Sequence, residues 1–186
     1  MGYIILYIIK AADRPAAGHM ENDKEESMFK AKKESIAPFP SHMRIQEFQQ
    51  NYEVQLPSDF IEFLMKYNGA VPDKGEFNCN GHAYFIERFF CLLDNEIFHS
   101  REDLAWLDMD AVIMQFEDLI IEDLDSDGME LVPIALLFAG DMVCLDFRVN
   151  PLHPNICVWD SEKSEDLSPV TYKAADSFTE FLNMLY

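Results

Sequence analysis

Apolar residues recur at helical spacing from Ile45 onward. Ile45, Phe48 and Tyr52 share one face, and beyond Pro57 the positions Phe60, Ile61, Leu64 and Tyr67 make a second. Pro57 suits a first helical turn, where its missing amide proton costs nothing, and Asn68-Gly69 suits the left-handed conformation that ends a helix. A polar loop is expected around Asp73 to Gly81. The run Ala83 to Leu93 then turns rich in aromatics and predicts one or two strands. Ser100-Arg-Glu-Asp103 has the spacing of a helix-opening box, with Leu104 and Leu107 on the inner face. A further helical piece is expected over Met109 to Leu119, and a turn over Asp125 to Gly128. Three strands follow at Leu131 to Phe138, Met142 to Phe147 and Ile156 to Trp159. Ser177-Phe-Thr-Glu180 opens a terminal helix whose Phe178, Phe181, Leu182 and Leu185 face the core. Helices at both ends with antiparallel strands between them predict an α+β fold: a single domain, mainly an antiparallel sheet with helices packed against it.

The first forty residues lack this periodicity. Residues 1–42 are read as a variable, flexible N-terminal extension and residues 43–186 as the domain. Within the extension Lys24 to Ser35 suits a solvated helix, and Pro38 and Pro40 then interrupt the chain as a linker would. The charged stretch opening at Met20 reads as an alternative start.

Composition permits a substantial core: 186 residues, 49% of them apolar, with fifteen Phe. Charge adds more. The formal net charge is −20, and from Glu102 to Phe147 there are thirteen Asp or Glu and no Lys or Arg. Such a field repels phosphate backbones and anionic membranes and attracts basic proteins with fast, salt-sensitive association. Neither nucleic acid nor membrane is expected as a direct partner. The four cysteines form no Cys-x-x-Cys pair, and Cys91, Cys144 and Cys157 sit in apolar runs, which favours reduced, buried thiols and a cytoplasmic location. No run approaches the ~20 apolar residues of a membrane-spanning helix. Tyr3 to Ile9 is apolar, but no positive segment precedes it, so a secretory signal is not expected.

Asp123-Leu-Asp125-Ser-Asp127-Gly128 fills positions 1, 3, 5 and 6 of a calcium-binding loop, yet position 12 is Ile134 where a bidentate Glu is required. An acidic turn leading into a strand is the simpler account. Cys79, His82 and Cys91 could supply three zinc ligands but lack the paired clusters zinc sites use. His42, His99 and His153 are scattered. A Gly-x-Ser-x-Gly elbow, a Cys with a polar His partner and a phosphate-cradling glycine loop are all missing from the sequence. No catalytic residue, metal ligand or cofactor is therefore assigned. Leu145-Asp146 and Trp159-Asp160 end two strands alike, and their acids are expected to accept hydrogen bonds from loop amides at the sheet rim.

Five motifs in order resemble the SUKH superfamily: the Leu56 to Gly69 helix; Val132-Pro133-Ile134; Gly140-Asp141 followed by Val143-Cys144-Leu145-Asp146; Ile156-Cys157-Val158-Trp159-Asp160; and Ala175-Asp176-Ser177-Phe178-Thr179-Glu180-Phe181-Leu182. The resemblance covers about residues 43–186. It departs where the family has a glycine-rich turn and this chain keeps only Gly140 after Ala135 to Ala139. The resemblance implies a non-catalytic binding module: an immunity protein that neutralises a cognate polymorphic toxin, often a nuclease, or alternatively a regulatory or scaffolding module of the same fold. The expected partner is a basic protein toxin, and the expected contact surface is the acidic segment Glu117, Asp118, Glu122, Asp123, Asp125, Asp127 and Glu130.

Overall fold

The computed structural model describes residues 29–123, 125, 126 and 128–186. Helix α1 (His42–Asn51) starts at Ser41, whose hydroxyl accepts from Arg44 N at 3.1 Å, and turns Ile45 and Phe48 inward. Helix α2 (Ser58–Tyr67) follows Pro57 and buries Phe60, Phe63 and Leu64. Strands β1 (Glu76–Cys79) and β2 (His82–Phe89) form a hairpin. Three short helices come next: α3 (Asn95–Ser100), α4 (Glu102–Ala105) and α5 (Met109–Phe116). Strands β3 (Leu131–Leu137), β4 (Met142–Asp146), β5 (Asn155–Trp159) and β6 (Thr171–Ala175) lead to the closing helix α6 (Phe178–Asn183).

The six strands make one antiparallel sheet in sequential order, with α3 to α5 inserted between β2 and β3. This is the α+β arrangement expected. Every residue of β4, and all but one of β3, is buried, so both faces of the sheet centre are covered. Pro133 in β3 lies beside a register shift against β4, where a strand tolerates a residue without an amide proton. The sheet curls until its edges β1 and β6 approach one another, with Cys79 Sγ 3.5 Å from the Lys173 carbonyl. Phe77 meets Phe181 edge-on at 5.1 Å, and Phe60 and Phe63 meet Phe178, locking α6 against α2 and the sheet.

Three local expectations change. Asn80 and Gly81 both take positive φ, 48° and 78°, so Cys79-Asn-Gly-His82 is a tight β1–β2 turn. The polar loop expected there contains β1, and β6 adds a strand beyond the three expected in the second half of the chain. Ser100 ends α3, its hydroxyl bonding Ile97 O at 3.2 Å, and Asp103 pairs with Arg101 at 2.8 Å, so no opening box forms.

Residues 29–41 pack on the domain. Phe29 sits edge-on to Phe63, Tyr67 and Phe89 at 4.9–5.7 Å, Ala31 bridges to Pro72, and Ala37 is buried. Arg88 fastens this strap through Gly69 O at 2.6 Å and Ser35 O at 2.7 Å. Asn68, fully buried, donates to Pro38 O and Leu92 O and accepts from Leu92 N at 2.9 Å. The packed unit thus reaches N-terminally at least to Phe29, beyond the boundary at 43. Residues 33–35 form a 3-10 turn instead of a solvated helix, and Lys24 to Met28 lie outside the described residues.

Candidate functional site

The acidic segment is anchored from below. Ile120 and Ile121 are buried, the Trp159 indole donates to Leu119 O at 2.9 Å, and Leu167 N donates to Asp118 O at 2.7 Å. Gly128, at φ 108°, passes so close to the chain just after α1 that a Cβ would lie 2.7 Å from Glu53 O, and Met129 N donates to Tyr52 O at 2.9 Å. Glu117 and Asp118, in a 3-10 turn, and Asp123 and Asp125 are exposed. Asp123 accepts from Asp125 N at 2.9 Å, which tightens the turn. With Glu53, Glu117 and Asp123 line a shallow cleft of about 350 Å³. Two predicted acids serve the fold as well: Glu122 pairs with Arg148, and the Glu130 carboxylate accepts from Glu122 N. Asp127 lies outside the described residues.

Arg148 closes this region. Its guanidinium forks onto Asp146 at 2.9 and 2.7 Å and reaches Thr171 Oγ1 at 2.6 Å, and the Asp146 hydrogen bonds hold its pKa above the ordinary arginine value. The strand-end acids behave as expected: Asp146 accepts from Arg148 N at 3.1 Å and Asp160 from Lys163 N at 3.0 Å.

Ile134, in the twelfth position of the calcium pattern, is buried within β3. Among the described residues no group of three or more His, Cys, Asp or Glu is placed to hold a metal ion. Cys79 and His82 flank the hairpin turn, while Cys91 bridges to Asp108 under α4. Burial pushes the Cys91 thiol up to about 12 and raises Cys144 and Cys157, which face one another across β4 and β5, so these sulfurs lack the thiolate character of a nucleophile.

A second feature escapes the acidic pattern. Stripes of three helices converge on a groove of about 720 Å³: Arg44, Glu47 and Asn51 from α1, Asn95 and Phe98 from α3, and Asp110, Ala111 and Met114 from α5. The opposite sides of α1 and α5 carry the core residues Ile45, Phe48, Val112 and Ile113. Asp108 caps α5 and is fully buried, accepting from Leu93 N at 2.7 Å and Asp110 N at 3.0 Å. Arg44 gives Nε to Leu93 O at 2.8 Å, pairs through Nη2 with Asp110, and lies 3.7 Å from Asp108. Burial pushes the Asp108 carboxyl up to about 6, with the Asp110 charge adding and the Leu93 amide opposing. Burial and Asp110 likewise raise the Tyr52 phenol. Asp110 Oδ1 is buried without a hydrogen-bond partner. An acid before an apolar helix marks Asp108 as a cap in sequence; nothing there links it to an arginine so distant.

The family SUKH_6, described as SMI1-KNR4 cell-wall, matches residues 43–182. Comparisons with curated proteins and with solved structures return no match. No helix of the described residues is long and apolar enough to cross a membrane.

Proposed function

This chain belongs to the SMI1-KNR4 cell-wall family, and we propose that it acts as an immunity protein that binds and neutralises a basic protein toxin, a nuclease by the complementarity of charge. The family is generally a non-catalytic immunity or regulatory domain that works through protein interaction. The observation that carries the reading is the placement of Glu117, Asp118, Asp123 and Asp125, exposed on a segment pinned by Trp159, Gly128 and Arg148. The backbone beneath them is held by these anchors, and the surrounding net charge of −20 steers the approach. Inhibition then consists of covering the cleft that would hold phosphate, with no chemical step on this chain.

The test uses the partner recovered with the full chain from its native host and purified. Its catalytic activity should fall in proportion to added chain. Neutralising Glu117, Asp118, Asp123 and Asp125 to their amides should slow association more than it speeds dissociation, with the difference shrinking at high salt. Unchanged rates would move the interface away from this segment. The family's cell-wall description favours one second reading, a regulatory module whose partner has no nuclease activity; a recovered partner that cleaves no nucleic acid would select it.

A further inference from the structure

We propose that the groove between α1, α3 and α5 is an anchor pocket for a segment of the protein partner that presents an apolar side chain next to a lysine or arginine. This rests on the binding-module reading above and places a second part of its interface.

Among polar neighbours the groove exposes apolar side chains where solvent-facing helix surface is ordinarily polar. Met114 is 76% exposed on α5, one turn from Ala111, and faces the same groove as Phe98 of α3. Such a lining takes an aliphatic or aromatic side chain, and methionine adapts to its shape. The floor and rim fix the charge of the visitor. Arg44, which lines the groove along with His99, has Nε and Nη2 committed to Leu93 O and Asp110. Against it stand Glu47, Asp108 and Asp110, so with all carboxylates ionised the groove carries a surplus of negative charge. Asp110 adds its charge from the foot of the rim, with Oδ1 itself buried. A nucleic-acid or carboxylate ligand would meet repulsion here. A lysine or arginine reaching the rim gains the field of Glu47 and Asp110. A second copy of the chain is a poor occupant, because two molecules of net charge −20 oppose each other.

The experiment uses full-length chain with ¹³C-labelled methionine methyls and ¹⁵N-labelled amides, titrated with three synthetic twelve-residue peptides: Leu/Lys, Ser/Lys of equal charge, and Leu/Glu. The Leu/Lys peptide should shift the Met114 methyl and the Phe98 and Ala111 amides in a saturable way. Met114→Ser, and Ala111→Phe, which fills the groove without altering charge, should each weaken it about tenfold. Each variant is accepted only if its melting temperature matches wild type. The Ser/Lys peptide should leave the Met114 methyl in place, as should Leu/Glu. A Leu/Lys peptide that shifts only amides of residues 117–126 would overturn the groove while leaving the acidic segment as an interface. Equal shifts from Leu/Glu would overturn the cationic part, and no saturable shift from any peptide would overturn the whole inference.

Discussion

The acids of the 117–126 segment and those beneath α5 are the same residue types, a few positions apart, with opposite duties. Asp123 and Asp125 face solvent, and the hydrogen bond that Asp123 accepts is local to its own turn. Asp108 faces the interior, where it satisfies two backbone amides and lies beside Arg44. In water a carboxylate is a source of field and contributes little to stability. Away from water the same group must be hydrogen-bonded or neutralised, so it becomes part of the framework and its proton becomes sensitive to pH. Counting acids along the chain registers the first kind and is blind to the second.

The largest contrast is expected from truncation. Asp108→Ala should cost about 3–5 kcal/mol, because it removes a helix cap and a buried charge's partner together. Asp125→Ala should stay within about ±0.5 kcal/mol. Denaturant melts of the two variants decide it, and comparable losses would erase the distinction between the regions.

Protonation should sharpen the same contrast. The native Asp108 carboxyl, raised from 3.8 to about 6, holds its proton more tightly than the unfolded chain does. Between those values the folded state binds more protons, so the Asp108 contribution is greatest in acid and declines as pH rises through 6. At about 1.4 kcal/mol per pH unit the decline is on the order of 2–3 kcal/mol. The charged groups facing Asp108 are Arg44 from α1 and Asp110 from α5, with the Cys91 thiol behind it and the Tyr52 phenol beside Asp110. The stability difference between wild type and Asp108→Asn, followed from pH 4 to 7, isolates this term from opposing carboxylates such as Asp160, whose pKa Lys163 lowers. A difference that grows with pH would reverse the assignment.

The smallest effect concerns calcium. With Ile134 buried in β3, millimolar calcium should leave the melting temperature of the full chain unchanged. A calcium-dependent rise would turn the exposed acids into a coordination site and give them a structural duty after all.

Legibility followed how local each signal was. β3, β4 and β5 were found because strands buried on both faces are continuous apolar runs. The closing helix was found through its cap, since Ser177 accepts from Glu180 N within one turn. β1 and β6 were missed because they are short, half-exposed edge strands: only Phe77 and Cys79 are buried in β1, and only Ala175 in β6. The Asn80-Gly81 turn did carry a hairpin signal, which the neighbouring Cys79 and His82 obscured by suggesting metal ligands. The strap from Phe29 to Ser41 shows no periodicity, because it is held mostly by backbone hydrogen bonds and single side chains contributed by the elements it crosses.

By itself the sequence determined the α+β class, the central strands, the two strand-end acids that cap their loops, and a net charge that dictates which partners can approach. These depend on periodicity, capping and composition, which act within a turn or two of chain or over the whole surface. Tertiary structure alone decided which acids are surface and which are framework, and that the groove exists. Arg44 and Asp110 are 66 residues apart, and only the tertiary fold, which sets the start of α1 beside the start of α5, draws two ordinary surface charges into a part-buried pair.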